Sequence, residues 1–184
     1  SKLGKMSNAI IYDVPGFDSP TSMHLEQTKE RMKEADAIML IGSAEKPSFT
    51  APALKMFQEV VDEDNVALSD KLFVFGNRAD AANTLGKNID TLKSEVTKWK
   101  LLSGNQIEER LIIGSAKAHL QKLHIVDGDN CIKIVEENTE YKNAWSHGDG
   151  IDYAYNKLVD YNQSERFEVL KKKIRKNDEE LRSI

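Results

Sequence analysis

Leu72-Phe73-Val74-Phe75-Gly76-Asn77-Arg78-Ala79-Asp80 is the stretch that decides the fold. Four consecutive apolar residues without polar alternation predict a strand buried on both faces, closed by a glycine and an asparagine. The same form recurs on either side. Ala37-Ile38-Met39-Leu40-Ile41 closes on Gly42-Ser43, and Leu111-Ile112-Ile113 closes on Gly114-Ser115. Near the start, Ala9-Ile10-Ile11-Tyr12 closes on Asp13-Val14-Pro15-Gly16, and it too reads as a buried strand.

Helical patterns separate these runs. Ser22 to Ala35 is rich in Glu, Lys and Met with neither Gly nor Pro. Leu54, Phe57, Val60 and Val61 sit at helical spacing, and Leu85, Ile89, Leu92, Val96 and Trp99 recur every three or four residues. Alternating strands and amphipathic helices predict an α/β fold: a mostly parallel sheet with helices on both faces. Residues 127–150 are polar and punctuated, and read as a loop or insertion with a short strand at Cys131 to Val135. A last helix is expected from about Gly150 toward Glu180.

At 184 residues the chain is expected to be a single domain, with a strand/helix core over 8–126, the loop over 127–150 and the C-terminal helix over 151–184. Apolar residues make up 40% and charged residues 30%, a globular composition. Twenty-six Lys and Arg against 30 Asp and Glu give a net charge of −4, which leaves no global footprint for nucleic acid. A single cysteine, Cys131, excludes an internal disulfide framework. His119 and His124 are five apart and share no helix face well, so the histidines make a poor metal set. Lys171-Lys172-Lys173 with Arg175 and Lys176 reads as a solvated face balanced by Asp178, Glu179 and Glu180.

Ligands of an open parallel sheet bind at the carboxyl ends of its strands. The loops there are Asp13-Val14-Pro15-Gly16, Asn77-Arg78-Ala79-Asp80 and Ser115-Ala116-Lys117. In that order they resemble the D-x-x-G, N-K-x-D and S-A-K signatures of P-loop GTPases. Asp13-Val14-Pro15-Gly16-Phe17-Asp18 is similar to the form found in dynamin-like and related large bacterial GTPases. Gly150-Ile151-Asp152, leading to Tyr161, Glu165, Arg166 and Leu170, is loosely similar to the end of their G domains. The resemblance covers most of residues 8–175.

The resemblance implies a guanine-nucleotide site binding GTP or GDP with Mg²⁺. Asp13 would hold Mg²⁺ through a water, and the Gly16 amide would meet the γ-phosphate. A carboxylate at Asp80 can accept from guanine N1–H and the exocyclic amine, which adenine does not offer. Asn77 would brace the loops, the Ala116 N–H would donate to the guanine oxygen, and Ser115 to Lys117 would close the pocket. Arg78 stands where the family has lysine, and its planar guanidinium can stack on the purine.

The phosphate cradle G-x-x-x-x-G-K-[ST] occurs nowhere in the 184 residues. The chain therefore reads as the C-terminal part of a G domain lacking its first strand and P-loop, inactive as a hydrolase on its own. In the family the missing strand lies between the D-x-x-G strand and the one at Ala37 to Ile41. The gap is expected to be filled by another segment or chain, through strand complementation or self-association, or closed by direct pairing. The family implies a cytoplasmic protein with peripheral membrane contact by the parent. Two rivals stay open: an α/β interaction module that has lost the nucleotide, and an unrelated doubly wound domain in which the three motifs coincide by chance.

Overall fold

The structure, a computed structural model, describes residues 10–14, 22–49, 51–60, 67–128, 130–144, 148–161 and 166–182. Its architecture is α/β. Strands β1 (Ile38–Ser43), β2 (Leu72–Asn77) and β3 (Leu111–Ile113) form a three-stranded sheet in the order β1-β2-β3. Pairing of β2 with β3 is parallel, with Val74 opposite Leu111, Phe75 opposite Ile112 and Gly76 opposite Ile113. The bonds from Ile38 N to Lys71 O and from Ala44 N to Asn77 O advance together along both chains, so β1 runs parallel to β2 as well.

The apolar runs explain this order. Leu72 to Phe75 and Leu111 to Ile113 are buried throughout, as expected for strands covered by other elements. On β1 the pattern is looser, and Ile41 stays 65% exposed. Helix α1 (Ser22–Glu34) precedes β1, and α2 (Ala51–Glu59) lies between β1 and β2. Helix α3 (Leu85–Lys98) buries Leu85, Ile89, Leu92 and Val96, the face its spacing predicts. A short helix α4 (Asn105–Arg110) feeds β3 directly.

After β3 come α5 (Ala116–Lys122), α6 (Cys131–Glu137), α7 (Thr139–Ala144), α8 (Ile151–Asp160) and α9 (Arg166–Arg182). Three sequence expectations change here. Residues 131–135 form helix, not strand. Asn130 caps it by accepting the Lys133 N–H at 2.9 Å, and Cys131 and Val135, four apart, are its buried pair. Residues 127–150 are thus largely helical where described, not a loop, and the expected C-terminal helix is described over α8 and α9, with residues 162–165 outside the described residues. Finally, Ile10 to Val14 adopts no regular structure, and Ile10, Ile11 and Tyr12 are 77%, 70% and 51% exposed. A four-residue apolar run fixes a strand only when another strand supplies its hydrogen bonds.

The chain divides into two compact units, 1–38 with 50–71 and 157–184, and 39–49 with 72–156. In the first, the buried Lys71 ammonium donates to Lys33 O at the end of α1 at 2.8 Å, a favourable place for a cation. In the same unit Tyr161 OH donates to Asp36 O at 3.0 Å. In the second, Phe75, Ile112 and Ala154 form a buried cluster, with Met39, Ile151 and Tyr153 packed on it.

Candidate functional site

Strands β2 and β3 end side by side, so the loops that follow them meet. Gly114 N donates to Gly76 O and Ala79 N to Gly114 O, both at 3.0 Å, which stitches the two exits together. From the first loop, Asn77 Oδ1 accepts the Arg78 N–H at 2.8 Å and reaches across to accept the Ala116 N–H at 2.9 Å. From the second, the buried Ser115 hydroxyl donates to Asp80 Oδ1 at 2.5 Å and accepts the Ala118 N–H at 3.1 Å as the cap of α5. One side chain therefore starts a helix and orients a carboxylate. With roughly four lone-pair positions, that carboxylate keeps acceptor capacity beyond the Ser115 bond.

Arg78 adopts a left-handed backbone (φ 66°), and its guanidinium pairs with Glu45 at 2.9 Å. Glu45 follows β1, where Asn88 of α3 holds the loop by donating to Ala44 O at 2.8 Å and Glu45 O at 3.2 Å. Lys117 is exposed at the start of α5. Beneath the pair of loops, α6 packs on the turn at Ala79–Ala81. Its buried Cys131 has a raised thiol pKa, first through burial and then through the neighbouring Asp80 carboxylate.

Five of the sequence-selected residues, Asn77, Arg78, Asp80, Ser115 and Ala116, are thus gathered at two adjacent strand ends. Asp13 belongs to the other compact unit and is exposed within the irregular stretch Ile10 to Val14, with no strand among the described residues beside it in sequence. Gly16 lies outside the described residues. Among the described residues Asp13 joins no group of three metal-ligating side chains; the group that does form is His119, Asp149 and Asp152. Lys122 sits among them, 2.8 Å from Asp152 and 3.6 Å from Asp149, so an ammonium already supplies the positive charge.

Sequence reasoning missed Glu45, Cys131 and Asp149. Asp149 stands near the end of the 127–150 stretch and is buried against the end of β3. Its carbonyl accepts the Ser115 N–H at 2.7 Å, and its Oδ2 lies 3.1 Å from His119 Nδ1. Nearby, Tyr141 OH donates to Ile113 O at 2.8 Å, and burial, then the Asp149 charge, push its phenol pKa up. The Gly-Ile pair at 150 and 151 signalled a helix start but not which loop it would touch.

The fold and these loops define an α/β chain with a polar site at the carboxyl ends of adjacent parallel strands. No family model, curated protein or solved structure matches the chain.

Proposed function

We propose that the chain carries the base-reading part of a guanine-nucleotide site, within a GTPase-like sheet covered by helices on both faces and belonging to a dynamin-like parent. The observation that carries this reading is the pairing of Asp80 with Ser115 while Asn77 bridges to Ala116. It ties the two sequence motifs, 35 residues apart, into one polar cluster. A carboxylate braced at a strand end suits the donor pair on the Watson–Crick edge of guanine. Adenine presents an acceptor there, leaving the carboxylate unmatched. Hydrolysis by the parent would draw on Mg²⁺ and a phosphate cradle, with Asp13 and Gly16 as the residues of this chain facing them.

A base pocket without a phosphate cradle is expected to bind weakly, with roughly 4 kcal/mol and hence about millimolar Kd. Amide NMR spectra of the chain titrated with millimolar GDP and, separately, ADP read such binding directly. GDP is expected to move the Ser115 and Ala116 amides and the Asn77 side-chain signals, with no change from ADP. Equal shifts from both nucleotides would overturn the guanine reading.

A second reading, a non-hydrolysing interaction module, is favoured by one specific feature. The Ala116 N–H, which would meet the guanine oxygen, already donates to Asn77, and Arg78 is turned to Glu45. That module leaves every site amide unmoved by either nucleotide.

A further inference from the structure

We propose that Asp149 is a positioning residue for the base-reading loop, and that the Asp149–Gly150 turn sets the orientation of Asp80 through Ser115. The proposal rests on the guanine reading above. The turn is seated against the end of β3 backbone to backbone. A Cβ on Gly150 would lie 2.3 Å from Ile113 O, and one on Gly114 would lie 2.4 Å from Asp149 O. Gly150 also has φ +80°, so this approach requires glycine twice over.

In that position Asp149 acts through both of its ends. The backbone carbonyl takes the Ser115 N–H at 2.7 Å, next to the hydroxyl that holds Asp80. The side chain fixes the turn that aims this carbonyl. Its Oδ1 accepts the Ile151 N–H at 2.9 Å, opening α8, while Oδ2 meets His119 at 3.1 Å and Lys122 at 3.6 Å on α5. The loop Ser115-Ala116-Lys117 is therefore gripped on one side by Asn77 and on the other by a residue at the end of the 127–150 stretch. A carboxylate distinguishes guanine from hypoxanthine only if it is aimed at the 2-amino group, so a loosened Ser115 should blur that distinction first.

The test compares GDP with IDP, which lacks the 2-amino group, on wild type, Asp149→Ala and Asp149→Asn, each checked for folding by its amide spectrum. One hydrogen bond to a charged acceptor corresponds to about a tenfold preference for GDP in the wild type. Asp149→Ala is expected to lower that ratio to about twofold, and Asp149→Asn, which keeps the acceptor for Ile151, to recover most of it. Should the alanine variant fail to fold, His119→Ala, which removes one Oδ2 partner, is expected to lower the ratio about threefold. A merely structural role would weaken GDP and IDP alike, so an unchanged ratio in the folded variants overturns the proposal. If the wild type binds neither nucleotide, the guanine reading itself has failed, and this inference with it.

Discussion

At the residue scale, Ser115 concentrates the most structure in the fewest atoms. Its hydroxyl caps α5 and donates to Asp80, and its amide is held by Asp149. Ser115→Ala removes the cap and the bond to a charged acceptor together, and is expected to cost about 2 kcal/mol. Urea midpoints of the two proteins check this, and a loss under half that size would mean the hydroxyl matters little. Ser115, Asn77 and Asp80 were legible because each lies in the loop or turn that closes an apolar run, where a parallel sheet places its ligand-facing residues. Their partners Glu45, Cys131 and Asp149 were not, since they arrive through tertiary packing from distant parts of the chain.

At the element scale, continuous apolar runs predict β1, β2 and β3, helical spacing predicts α2 and α3, and a Glu-, Lys- and Met-rich run without Gly or Pro predicts α1. Where the pattern was ambiguous, capping decided. Cys131-Ile132-Lys133-Ile134-Val135 is a short apolar-rich run that a strand or a helix could hold, but Asn130 captures the Lys133 N–H and starts a helix. Between α5 and α8, the Lys122–Asp152 pair gives a pH signature. The hydrogen bond from Lys122 holds the Asp152 carboxyl below its ordinary 3.8, and the same bond raises the Lys122 ammonium above 10.5. A depressed carboxylate contributes stability above its unfolded value and loses it as pH falls through the folded one; a raised ammonium loses its contribution only as pH climbs past 10.5. Both side chains are more than half exposed, so the pair is worth about 0.5 kcal/mol or less. Asp152→Asn should therefore lower the urea midpoint slightly at neutral pH, and the gap from wild type should narrow once the pH drops well below 3.8. A gap that stays constant into acid would show that the ion pair is not its source.

At the scale of the whole molecule, the chain divides into two compact units that each draw on separated segments. Composition could not show this, because burial patterns along a helix do not say which other segment covers it. The basic run on α9 is engaged within its own unit, Lys171 with Glu168 at 2.7 Å and Lys172 with Asp70 at 3.3 Å, acids other than the Asp178, Glu179 and Glu180 that follow the run in sequence. None of the described helices is long and apolar enough to cross a membrane. The same scale governs catalysis. Phosphoryl transfer depends on a cradle of backbone amides, a lysine and Mg²⁺ placed around the phosphates, and base recognition contributes little to the barrier. The 184 residues contain no G-x-x-x-x-G-K-[ST], and Asp13 lies in an exposed irregular stretch. Purified chain is thus expected to release phosphate from GTP no faster than buffer with Mg²⁺, whether Asp13 is intact or replaced by alanine. Turnover above that background that disappears in Asp13→Ala would mean that the chain assembles a phosphate site from residues other than a P-loop.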